Sequence, residues 1–173
     1  MQSVVKCMFH FFKISYRALD LAKYILQKCI DDSCPISNLQ LQKILYYVQG
    51  EFLREDRKAF AEPIEAWILG PVVPSVFERY CMNGAMQILD VPDWMKTEED
   101  EVPEISEEVK KIVDKVVEAK RVLPPWDMVR ATQKKDGPWD ITYADGKGNH
   151  KEISLRLIKK SFKDGCERGF FNN

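Results

Sequence analysis

Apolar residues recur at helical spacing from Ser15 to about Ile30, where Ala18, Leu21, Ala22, Ile25 and Cys29 share one face. Asp31, Asp32 and Ser33, followed by Pro35, end that segment. The next helix carries the clearest start signal in the chain. Ser37 is placed to cap it, Gln40 completes a capping box, and Ile36 and Leu41 are spaced for a hydrophobic staple. Leu41, Ile44, Leu45, Val48 and Phe52 then form an apolar stripe. Gln42, Tyr46, Tyr47 and Gln49 lie on or beside its edges. The tyrosines either bury their rings with the hydroxyls in water, as is usual for Tyr, or belong to a partner surface, where Tyr is favoured.

The period then changes to two. Ile64, Ala66 and Ile68 alternate with Glu65, Trp67 and Leu69, which predicts a strand with both faces partly covered. Gly70-Pro71 reads as the turn that terminates it, and Pro74 as the first residue of a short helix, "PSVFERY". A second strand is predicted from Met86 to Val91. "TEEDEVPEISEE", Thr97 to Glu108, carries seven acids and reads as a solvated connector. Ser106 caps the helix that follows, striped by Val109, Ile112, Val113, Val116 and Val117. Pro124-Pro125 stop it and start another through about Thr132. "KKDGPWD" and "ADGKGNH" read as turns, and a last helix from Ile153 is marked by Leu155, Ile158 and Phe162. The expected fold is α+β and predominantly α-helical, a compact single domain with a small antiparallel β element.

Composition narrows the function. At 173 residues, 45% hydrophobic and 31% charged, the chain fits one globular domain. A net charge of −1 argues against a nucleic acid as direct ligand, although a local basic patch stays open. Cys7, Cys29, Cys34, Cys81 and Cys166 form no CxxC pair, which favours reduced thiols and a cytoplasmic location. With His10 and His150 as the only histidines, no metal site is expected. The apolar start, "MQSVVKCMFHFFKIS", is broken by Lys6, His10 and Lys13, too short to span a membrane and without a signal-peptide cleavage site. A leading strand and an unpacked extension both stay open for it.

Chemistry is sparse. No nucleophile stands beside a base, and "DGKGNH" lacks the GxxxxGK[ST] pattern of a phosphate-binding loop. Glu65, inside an apolar strand beside Trp67, reads as a structural acceptor, a ligand for a partner's Arg or Lys, or a catalytic acid. Residues alone indicate a mainly helical domain, not an enzyme, without a cofactor.

Four blocks go further: "ALDLAKYIL", "ISNLQLQKILYYVQGEFL", "IEAWILGPVVPSVFERY" and "GPWDITYADGKGNHKEIS" continuing to "LIKKSF". In this order and spacing, from Ser15 to Lys163, they resemble the Panacea domain family, the phage-associated group that includes SocA-like and GepA-like proteins. The resemblance implies an antitoxin of a toxin–antitoxin pair, binding a protein partner by direct contact. It also implies two alternatives: an adaptor handing a toxin to a protease, or a phage-encoded inhibitor of a bacterial immune effector. An exposed terminal segment, the apolar leader or "ERGFFNN", would suit the adaptor. Residues 1–14 have no counterpart in the family pattern and read as an N-terminal extension, 15–165 as the domain and 166–173 as a tail. The family's Thr-His-x-Glu-x-Pro-Trp block is altered here: from Thr132 to Trp139, Gln133 replaces the His, Asp136 replaces the acid, and the spacing is one longer.

Pro71-Val72-Val73-Pro74 is a stiff apolar run beside Trp67, with little side-chain entropy to lose on binding. It is a packing corner or a partner site. The candidate partner-binding residues are therefore Tyr46, Tyr47, Glu65, Trp67, Pro71, Val72, Val73 and Pro74, with no catalytic, cofactor or metal residue among them.

Overall fold

The computed structural model describes residues 16–91 and 104–165. The N-terminal extension, most of the acidic connector and the C-terminal tail lie outside them. In chain order come α1 (Ala18–Asp31), α2 (Asn38–Arg54), β1 (Glu65–Trp67), β2 (Gly70–Val72), α3 (Pro74–Tyr80), α4 (Glu107–Lys120), α5 (Pro125–Thr132), α6 (Pro138–Tyr143), β3 (Lys151–Glu152) and α7 (Leu155–Lys163). The fold is α+β and mostly helical, as expected.

Helix α2 is the axis of the domain, touching α1, α3, α4, α5, α7 and β2. Its start is the reciprocal cap read from the sequence: Ser37 Oγ accepts from Gln40 N at 3.3 Å, and Gln40 Oε1 accepts from Ser37 N at 3.0 Å. Neighbours on every side bury Leu41, Ile44, Leu45, Tyr46, Tyr47 and Val48 completely. Burying a side chain of that size is worth roughly 1.5–3 kcal/mol, so α2 contributes a large share of the core. Gly50 lets α7 approach, because a Cβ there would overlap the Phe162 ring.

The start of α1 has no cap from its own N-cap residue, Arg17. A distant carboxylate supplies what is missing. Glu62 Oε1 accepts from Ala18 N at 2.9 Å, and the buried Asp20 takes a two-point contact from Arg17 at 2.9 and 2.8 Å. A carboxylate in the first turn also suits the helix dipole.

Three readings of the β region need correction. Gly70-Pro71 is not the turn; Ile68 and Leu69 form it, and the chain returns as β2 with Trp67 opposite Gly70 and Glu65 opposite Val72. Pro71 fits there because β2 lies at the edge of the order β2-β1-β3, where a missing N–H leaves no ladder bond unmade. The strand expected at Met86–Val91 is a single bridge, Gln87 to Ser37. Only Ile88 of its apolar residues is buried, while Met86 and Leu89 face solvent, and both edges of β1 are already taken. The second partner of β1 is β3, antiparallel, with Glu65 opposite Glu152. Finally, "KKDGPWD" is a turn only as far as Gly137, after which Pro138 opens α6.

Candidate functional site

A row of buried polar side chains on α2 fixes the β1–β2 hairpin and the run after it. Lys43 Nζ donates to the Pro71 carbonyl at 2.9 Å, Gln42 Oε1 accepts from Val73 N at 2.9 Å, and Asn38 Nδ2 donates to Phe77 O at 3.1 Å. Gln42 and Asn38 also bond each other at 2.9 Å. Gly70 sits at φ 101°, and a Cβ there would lie 2.8 Å from Thr132 Oγ1 and 3.0 Å from Lys43 Nζ. The glycine is thus required twice, for its left-handed backbone and for the approach of the lysine. Lys43 is fully buried, and that desolvation pushes its ammonium down to about 7.

From the other side the altered block Thr132–Trp139 clamps the same hairpin. Gln133 Nε2 donates to Ile68 O and Trp139 Nε1 to Trp67 O, at 2.9 and 2.8 Å. Gln133 serves here as an amide tie to the hairpin tip.

Trp67 forms a small aromatic cluster with Phe77, 5.0 Å away edge-on, and His150, 4.4 Å away. Its indole N–H donates to Glu65 Oε2 at 2.8 Å, and His150 Nδ1 lies 3.6 Å from the same oxygen. The carboxylate of Glu65 is therefore occupied as a structural acceptor within this cluster. Trp67 and Glu65 are partly accessible.

The remaining candidates are placed differently. Tyr46 and Tyr47 are wholly buried, hydroxyls included, and pack edge-on against Phe162 at 5.8 and 6.0 Å. The Lys120 ammonium sits 3.9 Å over the Tyr47 ring. The expectation of wet hydroxyls at an edge fails because α4 and α7 cover that side of α2. Pro71, Val72 and Val73 are buried too, and Pro74 partly so. In this fold the "GPVVP" run packs as a corner, its backbone bonded to Lys43 and Gln42 and its valines buried.

What the hairpin does expose is its tip. Ile68 is 69% and Leu69 39% exposed, and α6, which packs against β1, adds Ile141 at 52%. The period-two reading passed over these because it continued the strand through Ile68. A second exposed apolar group, Met82, Met86 and Leu89, follows α3. Among the described residues no helix is long and apolar enough to cross a membrane, and no three metal-ligating side chains come together.

Comparison with known proteins agrees with the pattern of the four blocks. The family model described as "Antitoxin SocA-like, Panacea domain" matches residues 41–140, which include α2 from Leu41 on, the hairpin, its supporting lysine and glutamine, and Trp139. The chain is 30% identical over 157 residues to "Antitoxin SocA" of Caulobacter vibrioides (strain NA1000 / CB15N), covering 87% of this chain and 82% of that protein. No solved structure matches. The matched blocks are those that build and brace the hairpin, and the chain belongs to the SocA-like, Panacea-domain antitoxin family.

Proposed function

We propose that the chain is an antitoxin that neutralises a protein toxin by direct contact, using the hairpin tip as the centre of the contact face. The observation that carries this reading is the exposure of Ile68 and Leu69 on a turn whose backbone is tied down by Gln133 and Trp139 and whose return strand is held by Lys43. Exposed apolar side chains on a fixed frame lose little freedom on binding and shed water from apolar area. Trp67 beside them is the residue type most often found to dominate interface energetics. Glu65 and His150 stand at its border, where polar groups set orientation. The role is a non-catalytic one, in keeping with the family and with a Glu65 carboxylate engaged by Trp67.

The test is co-expression with the product of each reading frame that flanks this gene, the one that arrests growth being taken as the toxin. Wild type should restore growth and co-purify with the toxin, whereas Ile68→Asp with Leu69→Asp should do neither while accumulating normally. Rescue by the double variant at wild-type level would refute the contact face. Rescue that requires a host protease, with toxin disappearing rather than accumulating in a complex, would move the reading to an adaptor.

A further inference from the structure

Helix α1 ends in a turn whose two packing positions are both cysteines. Cys34 N–H donates to Cys29 O at 2.8 Å and Ser33 N–H to Ile30 O at 2.9 Å, with Ser33 left-handed at φ 54°. This pair of bonds defines a Schellman cap, in which the side chains three residues before and two after the cap position pack together. Here they are Cys29 and Cys34. With standard bond lengths on either side of the 2.8 Å contact, the two α-carbons lie within about 6.7 Å. That is inside the span a disulfide bridges.

The two thiols differ in the way a resolving pair requires. Cys29 is buried and Cys34 is partly exposed. Burial pushes the Cys29 thiol up to about 11; Arg121 opposes the rise and the nearby Cys34 adds to it. Cys34 thus meets solvent first, and the thiolate, once formed, is the nucleophile.

We propose that Cys29 and Cys34 form a dithiol that hydrogen peroxide oxidises to an intrachain disulfide. The Cys34 thiolate attacks one peroxide oxygen, the O–O bond breaks, and the departing oxygen leaves as water after protonation. Cys34 is now a sulfenic acid. The Cys29 sulfur attacks the Cys34 sulfur, the S–O bond breaks, and the hydroxyl leaves as a second water with the Cys29 proton. Two thiols lose two electrons and one peroxide gains them. Arg121 registers the change: its guanidinium holds Asp32 at 2.6 Å and its carbonyl accepts from Gln40 Nε2 at 3.4 Å, so it links α1 to α2 and to the end of α4.

The experiment uses the full chain with Cys7, Cys81 and Cys166 replaced by Ser, treated with hydrogen peroxide, then unfolded in urea and blocked with N-ethylmaleimide, and digested with trypsin without reductant. Both cysteines fall in the peptide 29–43, which should appear lighter by two hydrogens and unlabelled. Dimedone should label Cys34 in Cys29→Ala but hardly at all when Cys29 is present. Cys34→Ala should leave Cys29 open to maleimide after the same exposure. Full maleimide labelling of both thiols after peroxide would overturn the proposal, as would Cys34 advancing to a sulfinic acid with Cys29 still free. If Cys29→Ala fails to fold, the peptide mass and the Cys34→Ala arm still decide.

Discussion

Lys43→Met is the substitution that most directly probes how the hairpin is held. The ammonium is fully buried, and the bond that defines its position goes to a neutral carbonyl, Pro71 O. Desolvation lowers it from an ordinary 10.5 to about 7. The unfolded chain therefore keeps a proton that the folded chain has released between about pH 7 and 10.5. Stability rises with pH across that window, and the cost is fully present below about pH 7. The total cost is on the order of 5 kcal/mol, against roughly 1–3 kcal/mol for leaving the Pro71 carbonyl without its donor in the Met variant. Lys43→Met should thus be more stable than wild type at pH 7, as buried charges replaced by apolar residues often are. Urea unfolding followed by tryptophan fluorescence at pH 7, 8 and 9 reads the difference. Wild type should gain about 2–3 kcal/mol on Lys43→Met from pH 7 to 9. Subtracting the two proteins cancels other titrations, and stopping at pH 9 avoids the opposing slope of Cys29, whose thiol is raised from 9.0 to about 11. Parallel pH curves for the two proteins would refute the reasoning, since they would mean that Lys43 keeps its proton in the fold.

Gly70→Ala should lose about 2 kcal/mol or more in the same unfolding assay, because the left-handed backbone and the Thr132 and Lys43 contacts both reject a Cβ. Gly50→Ala should cost about 1–3 kcal/mol by forcing Phe162 off α2. A Val72→Asp, Val73→Asp double variant should fail to give a cooperative melt, since each buried carboxylate costs several kcal/mol, roughly the whole stability of a domain together. A normal melt would mean that the "GPVVP" run is open to solvent.

The helices were legible because their signals are local. Ser37 and Gln40 specify a cap without reference to the rest of the chain, and the stripes of α1, α4 and α7 face a single core. The sequence misleads where distant contacts decide. Gly70-Pro71 carries a strong turn signal, yet the glycine is needed for Lys43 and Thr132, and the proline is tolerated because β2 is an edge. A two-residue strand such as β3 has no pattern to read; it exists because β1 offers it an edge. Helix α2 shows a one-sided stripe but is covered all round. Its Asn38, Gln42, Lys43 and Gln49 are internal hydrogen-bonding groups rather than a wet face, as Gln49 demonstrates by bonding Ala59 N at 2.8 Å and Phe60 O at 3.0 Å. Of the contact candidates, Glu65, Trp67 and Pro74 remain partly at the surface, and the neighbouring Ile68 and Leu69 emerge only once the turn is placed.

In the proposed complex, the exposed tip of the braced hairpin is what the toxin meets. Isothermal titration of the purified toxin into wild type and into the Ile68→Asp, Leu69→Asp variant tests it, alongside melting curves of both. The variant should differ in stability by no more than about 1 kcal/mol and lose at least a hundredfold in affinity, about 2.7 kcal/mol. Equal affinities for two equally stable proteins would contradict it and shift the contact to another surface, of which the Met82, Met86 and Leu89 group is the next to examine.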